Sequence, residues 1–296
     1  MTIVSFRRLD VQNPGVFSQY LLPGALKGAG TAAEEFALFG AVWDQSACGA
    51  AAVRFQNGRG EILSLFVDPL ARRQGIGTKL AELLLKESAG RGAAELSGSY
   101  VLTGEALEGM DAFFASLGAE PEFWAPAFGM DSSLFRESRF FAKIFRPTFQ
   151  PNAHIQPFSS LSGEQLGALA ERRDIPSYLL PAACAARLDP ALSLAWVDEG
   201  RITAYVLGGD TGQNSYTLLA AWREAEAPST CFFHLLYAQL NRCFYRCGGD
   251  FFYYLSAVTP ETAALADRLT EGCYTLFEEH IVRLPLPGGS EEGTNA

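Results

Sequence analysis

Apolar positions along the chain fall into two stretches with the same order. In the first, Ala37–Trp43 and Gly49–Phe55 read as the arms of a hairpin, and Ile62-Leu63-Ser64-Leu65-Phe66-Val67 as a third, largely buried strand. Pro69 cannot donate to a sheet ladder, so that strand should stop before it. Leu80, Leu83 and Leu84, interleaved with Glu82, Lys86 and Glu87, then predict an amphipathic helix. In the second stretch, Leu192–Val197 and Ile202–Leu207 flank Asp198-Glu199-Gly200, which is sound hairpin chemistry, and Tyr216–Ala221 supplies the third strand.

The two stretches keep register. Ile62 and Tyr216 are 154 positions apart, Gly118 and Gly272, each closing a predicted helix, are again 154 apart, and Trp43 and Trp196 are 153 apart. A duplicated unit explains three agreeing offsets. Pro147 and Pro151 interrupt any regular element between the copies, placing one domain at 1–145 and a second at 152–286. The tail 287–296 carries no apolar residue except Ala and is expected to be disordered. Each half then reads as strand, helices, a three-strand meander, helix, strand, helix and a final strand. The fold class is α/β with a mixed sheet, built twice.

Composition narrows the function. At 296 residues the chain exceeds an ordinary single domain, which agrees with two. A net charge of −10 argues against a nucleic-acid partner, which calls for excess Lys and Arg. The same charge is compatible with a cationic substrate such as an amine. No uncharged apolar run reaches the ~18 residues of a membrane span, and the N-terminus lacks a signal-peptide pattern, so a cytoplasmic protein is expected. The six cysteines contain no CxxC pair. Cys231, Cys243 and Cys247 share a predicted helix with His234, but the spacing fits no zinc pattern, so core packing and no metal are expected.

Chemistry concentrates at Val67-Asp68-Pro69-Leu70-Ala71-Arg72-Arg73-Gln74-Gly75-Ile76-Gly77-Thr78. Strand, glycine turn and helix start aim backbone N–H groups at one point, and the helix dipole adds to them. Gly75 and Gly77 lack a Cβ and admit an anion close to the main chain. Arg72 and Arg73 add permanent charge with forked donors. Neither the dinucleotide fingerprint nor the P-loop has this spacing. Arg72, Gly75 and Gly77, between a strand ending Val-Asp-Pro and a helix opening Gly-Ile-Gly-Thr-x-Leu, resemble the Arg/Gln-x-x-Gly-x-Gly/Ala pyrophosphate loop of the GNAT acetyltransferases.

The resemblance implies two tandem GNAT-like acyl-CoA N-acyltransferase domains, with acetyl-CoA as acyl donor held by Phe66, Val67, Arg72, Arg73, Gln74, Gly75, Ile76, Gly77 and Thr78. At the offset of the loop the second half has Glu226-Ala227-Pro228-Ser229-Thr230-Cys231, which lacks both glycines and both arginines, so it is expected not to bind CoA. Glu61 stands eleven residues before Arg72, where histone-type members carry their general base, and strand alternation groups it with Leu63 and Leu65. Many members place a general-acid Tyr in Tyr-x-x-Leu-Gly-Phe. Here Phe114 occupies that place in Phe114-Ala115-Ser116-Leu117-Gly118-Ala119, and a phenyl ring donates no proton. Tyr100 and Thr103 are the substitutes at hand. The implied reaction is acetyl transfer to a primary amine of a small-molecule acceptor, by a monomer or homodimer. The competing reading is a non-catalytic acyl-CoA-binding or interaction module.

Overall fold

A computed structural model describes residues 4–22, 35–138, 141–185, 187–228, 230–256 and 260–286, so the 287–296 tail lies outside the described residues. The chain forms two compact units, one of residues 1–124 with 278–296 and the other of 125–277. This differs from a division at 145–152, for a physical reason given by strand pairing.

In unit 1, β1 (Val4–Arg8), β2 (Phe36–Trp43), β3 (Ser46–Gln56) and β4 (Arg59–Val67) form an antiparallel meander. Helix α1 (Ile76–Gly90) crosses over to β5 (Glu95–Leu102), parallel to β4, and α2 (Gly104–Ser116) follows. In unit 2, β6 (Glu122–Asp131) and α3 (Ser132–Glu137) precede β7 (Ile155–Pro157), α4 (Gly163–Ala170) and α5 (Pro181–Cys184). The second meander is β8 (Leu194–Asp198), β9 (Arg201–Gly212) and β10 (Ser215–Arg223), and α6 (Cys231–Cys247) leads to β11 (Phe252–Ser256), parallel to β10. Helix α7 (Pro260–Thr270) and β12 (Thr275–Leu284) close the described chain.

The final strands change places. Residues 278–284 of β12 pair antiparallel with β5, whereas 127–131 of β6 pair with β11. Each half therefore completes the sheet of the other, and the unit boundaries fall inside β6 and β12. A hydrophobic run says that a segment is a strand but not which edge it joins. The duplicated plan itself is confirmed. Gly118 and Gly272 both adopt left-handed φ, +83° and +81°, at helix ends.

The core of unit 1 packs α1 and α2 against one sheet face through Ala37, Phe39, Ala51, Val53, Ile76, Leu80, Leu84, Leu96 and Phe114. On the opposite face a 3-10 turn, Gly15–Tyr20, seats Phe17, which is fully buried. A Cβ on Gly40 would stand 2.5 Å from the Phe17 ring. Gly40→Ala is therefore expected to lower the urea midpoint by an amount equivalent to ~1–3 kcal/mol, the usual cost of overpacking. An unchanged midpoint would mean that the ring relocates freely. All six cysteines are free thiols, with Cys48, Cys184, Cys231 and Cys243 buried. No helix among the described residues is long and apolar enough to cross a membrane.

Candidate functional site

The β4–β5 pair is in contact only at its start. Arg59, Gly60 and Glu61 stand opposite Glu95, Leu96 and Ser97, and beyond them the ladder ends although both strands continue, to Val67 and Leu102. Ile62 and Gly98 still touch, a Gly98 Cβ standing 3.2 Å from Ile62 Cβ, but from there onward the two edges share no ladder pairing, leaving a gap in the ladder. Unpaired strand edges seek hydrogen bonds, and a ligand with amide groups along an extended arm supplies them. Glu61 to Val67 spans ~20 Å at strand rise, and at the far end of that span stands the glycine loop.

The loop is built by its own backbone. Asp68 N–H donates to Cys48 O, and the Asp68 side chain accepts from Leu70 N–H, turning the chain through the 3-10 turn Pro69–Ala71. Arg73 (φ +63°) and Gly75 (φ +75°) both take left-handed conformations, bringing the chain into α1. Gly75 caps α1 without a side-chain hydrogen bond, and the first turn holds no acid. The N–H groups of Ile76, Gly77 and Thr78 are therefore not consumed by a cap, as an anion site requires. Ile76 itself is buried, so its contribution to a ligand is backbone alone. A Cβ on Gly75 would meet nothing within 4 Å, and one on Gly77 would only touch Phe113 at 3.5 Å and Val67 at 3.7 Å. The space above Gly75 is open, and that above Gly77 admits a Cβ.

Arg72 behaves differently from a free phosphate ligand. Its Nε donates to Val67 O at 3.1 Å and its guanidinium lies 5.8 Å from the Phe66 ring centre. Phe66 stacks on Tyr20, 5.7 Å between centroids, and the Tyr20 hydroxyl donates to Ala47 O. Arg73, Gln74 and Gly75 are exposed.

Glu61 lies at the closed end of the gap. Arg54 Nη2 donates to Glu61 Oε2 at 2.8 Å, and Arg54 is almost wholly buried. The expected grouping of Glu61 with Leu63 and Leu65 fails at Leu65. Ala52 pairs with Ser64 but Val53 with Ile62, so Leu63 is a bulge and the alternation slips by one. Ile62, Leu65 and Val67 then all pack on the α1 side. Glu61 shares the other face with Ser64, whose hydroxyl donates to Tyr20 O, and with Phe66.

Of the two proposed substitutes for a general-acid Tyr, Tyr100 is engaged elsewhere. Phe114 is buried, and Tyr100 stacks on it at 5.4 Å while donating its hydroxyl to Asp111 Oδ1 at 2.5 Å. Burial, and then the bond to Asp111, push the Tyr100 phenol well above its ordinary range. Thr103 caps α2 without a side-chain bond. His280 joins the same cluster, Nδ1 at 3.1 Å from Asp111 Oδ1 and Nε2 at 3.2 Å from Glu278 Oε2. Sequence reasoning missed this group, since 169 positions separate Asp111 from His280.

The corresponding turn of unit 2 is arranged with opposite polarity. Glu224 N–H donates to Thr203 O, as Asp68 does to Cys48. Arg223 Nη1 then donates to the carbonyls of Glu224, Ala225 and Ala227, so the turn offers oxygen atoms to an internal cation. Glu224 is itself buried and bound by Arg172 and Arg201. Among the described residues no group of three or more His, Cys, Asp or Glu side chains is placed to hold a metal.

Residues 11–118 match the family model of the acetyltransferase (GNAT) family. No curated protein sequence matches the chain. Among solved structures, a tandem GNAT protein from the clavulanic acid biosynthesis pathway superposes with a TM-score of 0.60 at 13% identity, covering 96% of this chain and 99% of that one. A GCN5-related N-acetyltransferase from Sphaerobacter thermophilus gives 0.50 at 13%, covering 96% of each. A GCN5-related glucosamine N-acetyltransferase region of a fungal multi-domain GH3 β-N-acetylglucosaminidase gives 0.51 at 14%, with 96% of this chain on 38% of that one. At such identities the likeness speaks for the fold alone. The parting of β4 from β5, the glycine loop and the family match agree: residues 11–118 match the acetyltransferase (GNAT) family, in a chain whose fold is that of tandem GNAT proteins.

Proposed function

We propose that the protein transfers an acetyl group from acetyl-CoA to a primary amine of a small-molecule acceptor, using one donor site per chain, in unit 1. The observation that carries this reading is the unpaired gap between β4 and β5 running into an uncapped helix start at Gly75–Thr78. In this reading the pyrophosphate rests on the N–H groups of Ile76, Gly77 and Thr78, with Arg73 and Gln74 at the rim. The arm of the donor lies along Phe66, Val67 and the strand edge, which brings the thioester toward Glu61. An amine attacks only when deprotonated. Glu61, held in place by Arg54, accepts that proton directly or through water, and the thiolate leaves without a dedicated acid.

Calorimetric titration with acetyl-CoA is expected to give one site per chain. Two equivalent sites would refute the single-site reading, because the Arg223-filled turn could not then be inert. Release of free thiol from acetyl-CoA over a panel of amines tests transfer itself. A second reading, a non-catalytic acyl-CoA-binding module, is favoured by one observation: Phe114 is buried where the family's acid stands and Tyr100 is committed to Asp111. Tight acetyl-CoA binding without thiol release on any amine would decide for it.

A further inference from the structure

We infer that His280 is a positioning residue for the donor site, acting through Asp111 to fix the helix that walls the glycine loop. The inference rests on the acyl-CoA reading of that loop. His280 is 8% exposed, and its Nδ1 meets the same Asp111 oxygen that accepts the Tyr100 hydroxyl. One carboxylate oxygen thus ties α2 to two strands, β5 and β12. Met110, Phe113 and Leu117 also pack on the core, but only partly buried. Of the helix's residues only Leu107 and Phe114 are buried, its N-cap Thr103 makes no side-chain capping bond, and Gly104 enters it at φ +56°.

From Asp111 the contacts run without a break to the cradle. Tyr100 stacks on Phe114, the Phe114 and Phe113 rings meet edge to face at 5.1 Å, and Phe113 Cε2 lies 3.5 Å from the point a Cβ of Gly77 would occupy. Asp111, Phe113 and Phe114 sit within one turn of α2, so a shift of the helix at Asp111 moves Phe113 against Gly77. Phe113 lies at ordinary contact distance from the first turn of α1, so its place sets where the N–H groups of that turn stand for the donor. His280 touches no donor atom in this scheme. It sets the wall.

Three variants of the full chain separate this from simple core packing. The amide nitrogen of Asn can stand near the Nδ1 position and still donate to Asp111, whereas that of Gln reaches toward Glu278 instead. His280→Ala and His280→Gln are expected to weaken acetyl-CoA binding by calorimetry roughly two- to thirty-fold, the span of energetic coupling through packed side chains. His280→Asn should bind like the wild type, and with saturating donor all three should keep a near-normal kcat. The inference is overturned if the wild type binds and all three variants bind equally well, or if all three weaken alike with a matching fall in Tm. A wild-type protein that does not bind acetyl-CoA would remove the donor reading first, and this inference with it. Should the Ala variant fail to fold, the contrast between Asn and Gln still decides.

Discussion

Acetyl-CoA binding is expected to vanish when Gly77 is replaced by Val, in a protein that remains folded. Gly77 sits in the first turn of α1 with ordinary helical φ, and a Cβ there meets Phe113 and Val67 only at normal contact distance. The fold thus has room for a Cβ, and what the larger side chain is expected to remove is close approach of the phosphate. Gly77→Ala sharpens the test because its two effects have opposite signs. Replacing a helical Gly by Ala should stabilise the fold by up to ~1 kcal/mol, yet the added methyl should weaken donor binding at least tenfold. Gly75 cannot give so clean an answer. Its left-handed φ of +75° makes any L side chain costly, by ~1 kcal/mol or more. Normal binding by both Gly77 variants would place the phosphate elsewhere.

Glu61→Gln is expected to lower kcat at neutral pH by roughly 10²–10⁴, the range of a positioned general base, with acetyl-CoA affinity nearly intact. The deficit should shrink as pH rises, because more of the amine is then free without assistance. The Arg54 ion pair adds a second expectation. Arg54 is buried, and neutralising its partner leaves a guanidinium charge uncompensated, so Tm should fall as well. Arg54→Met/Glu61→Gln removes both charges and should recover much of the Tm while leaving the rate low. A rate that recovers together with Tm would make Glu61 a structural partner of Arg54 and nothing more.

The features legible in the sequence are those written in neighbouring residues. The Val-Asp-Pro stop, the glycines at 75 and 77, the helix behind them and the 154-residue offset are all local patterns, and each has its place in the structure. What was not legible depends on partners distant in the chain. The bulge at Leu63 is visible only against β3, and it moved Leu65 off the Glu61 face. Arg54 was invisible as a partner of Glu61 because an isolated Arg in a strand has many possible mates. His280 lay in the second half of the sequence and joined Asp111 because β12 crosses to unit 1. The amide-rich gap between β4 and β5 follows from where a ladder stops, which residue types do not specify.

The crossing of β12 also bears on how the molecule is made. On the ribosome, everything needed for the sheet of unit 1 except its last strand has emerged by Leu102, while the segment that closes the β5 edge begins at Glu278. During synthesis at ~5–20 residues per second, that edge waits on the order of ten seconds or more, open to pairing with another nascent chain. Closing so long a loop costs only slightly more entropy than closing a short one, so the penalty is paid in time, not in final stability. Acidic and basic residues at the waiting segment's destination are few: β5 has Glu95 alone, and the strand otherwise reads Leu-Ser-Gly-Ser-Tyr-Val-Leu. Crowded translation of this chain therefore selects for conditions that shield β5, and a supplied peptide spanning 275–286 should suppress aggregation of an N-terminal fragment, whereas a scrambled peptide should not.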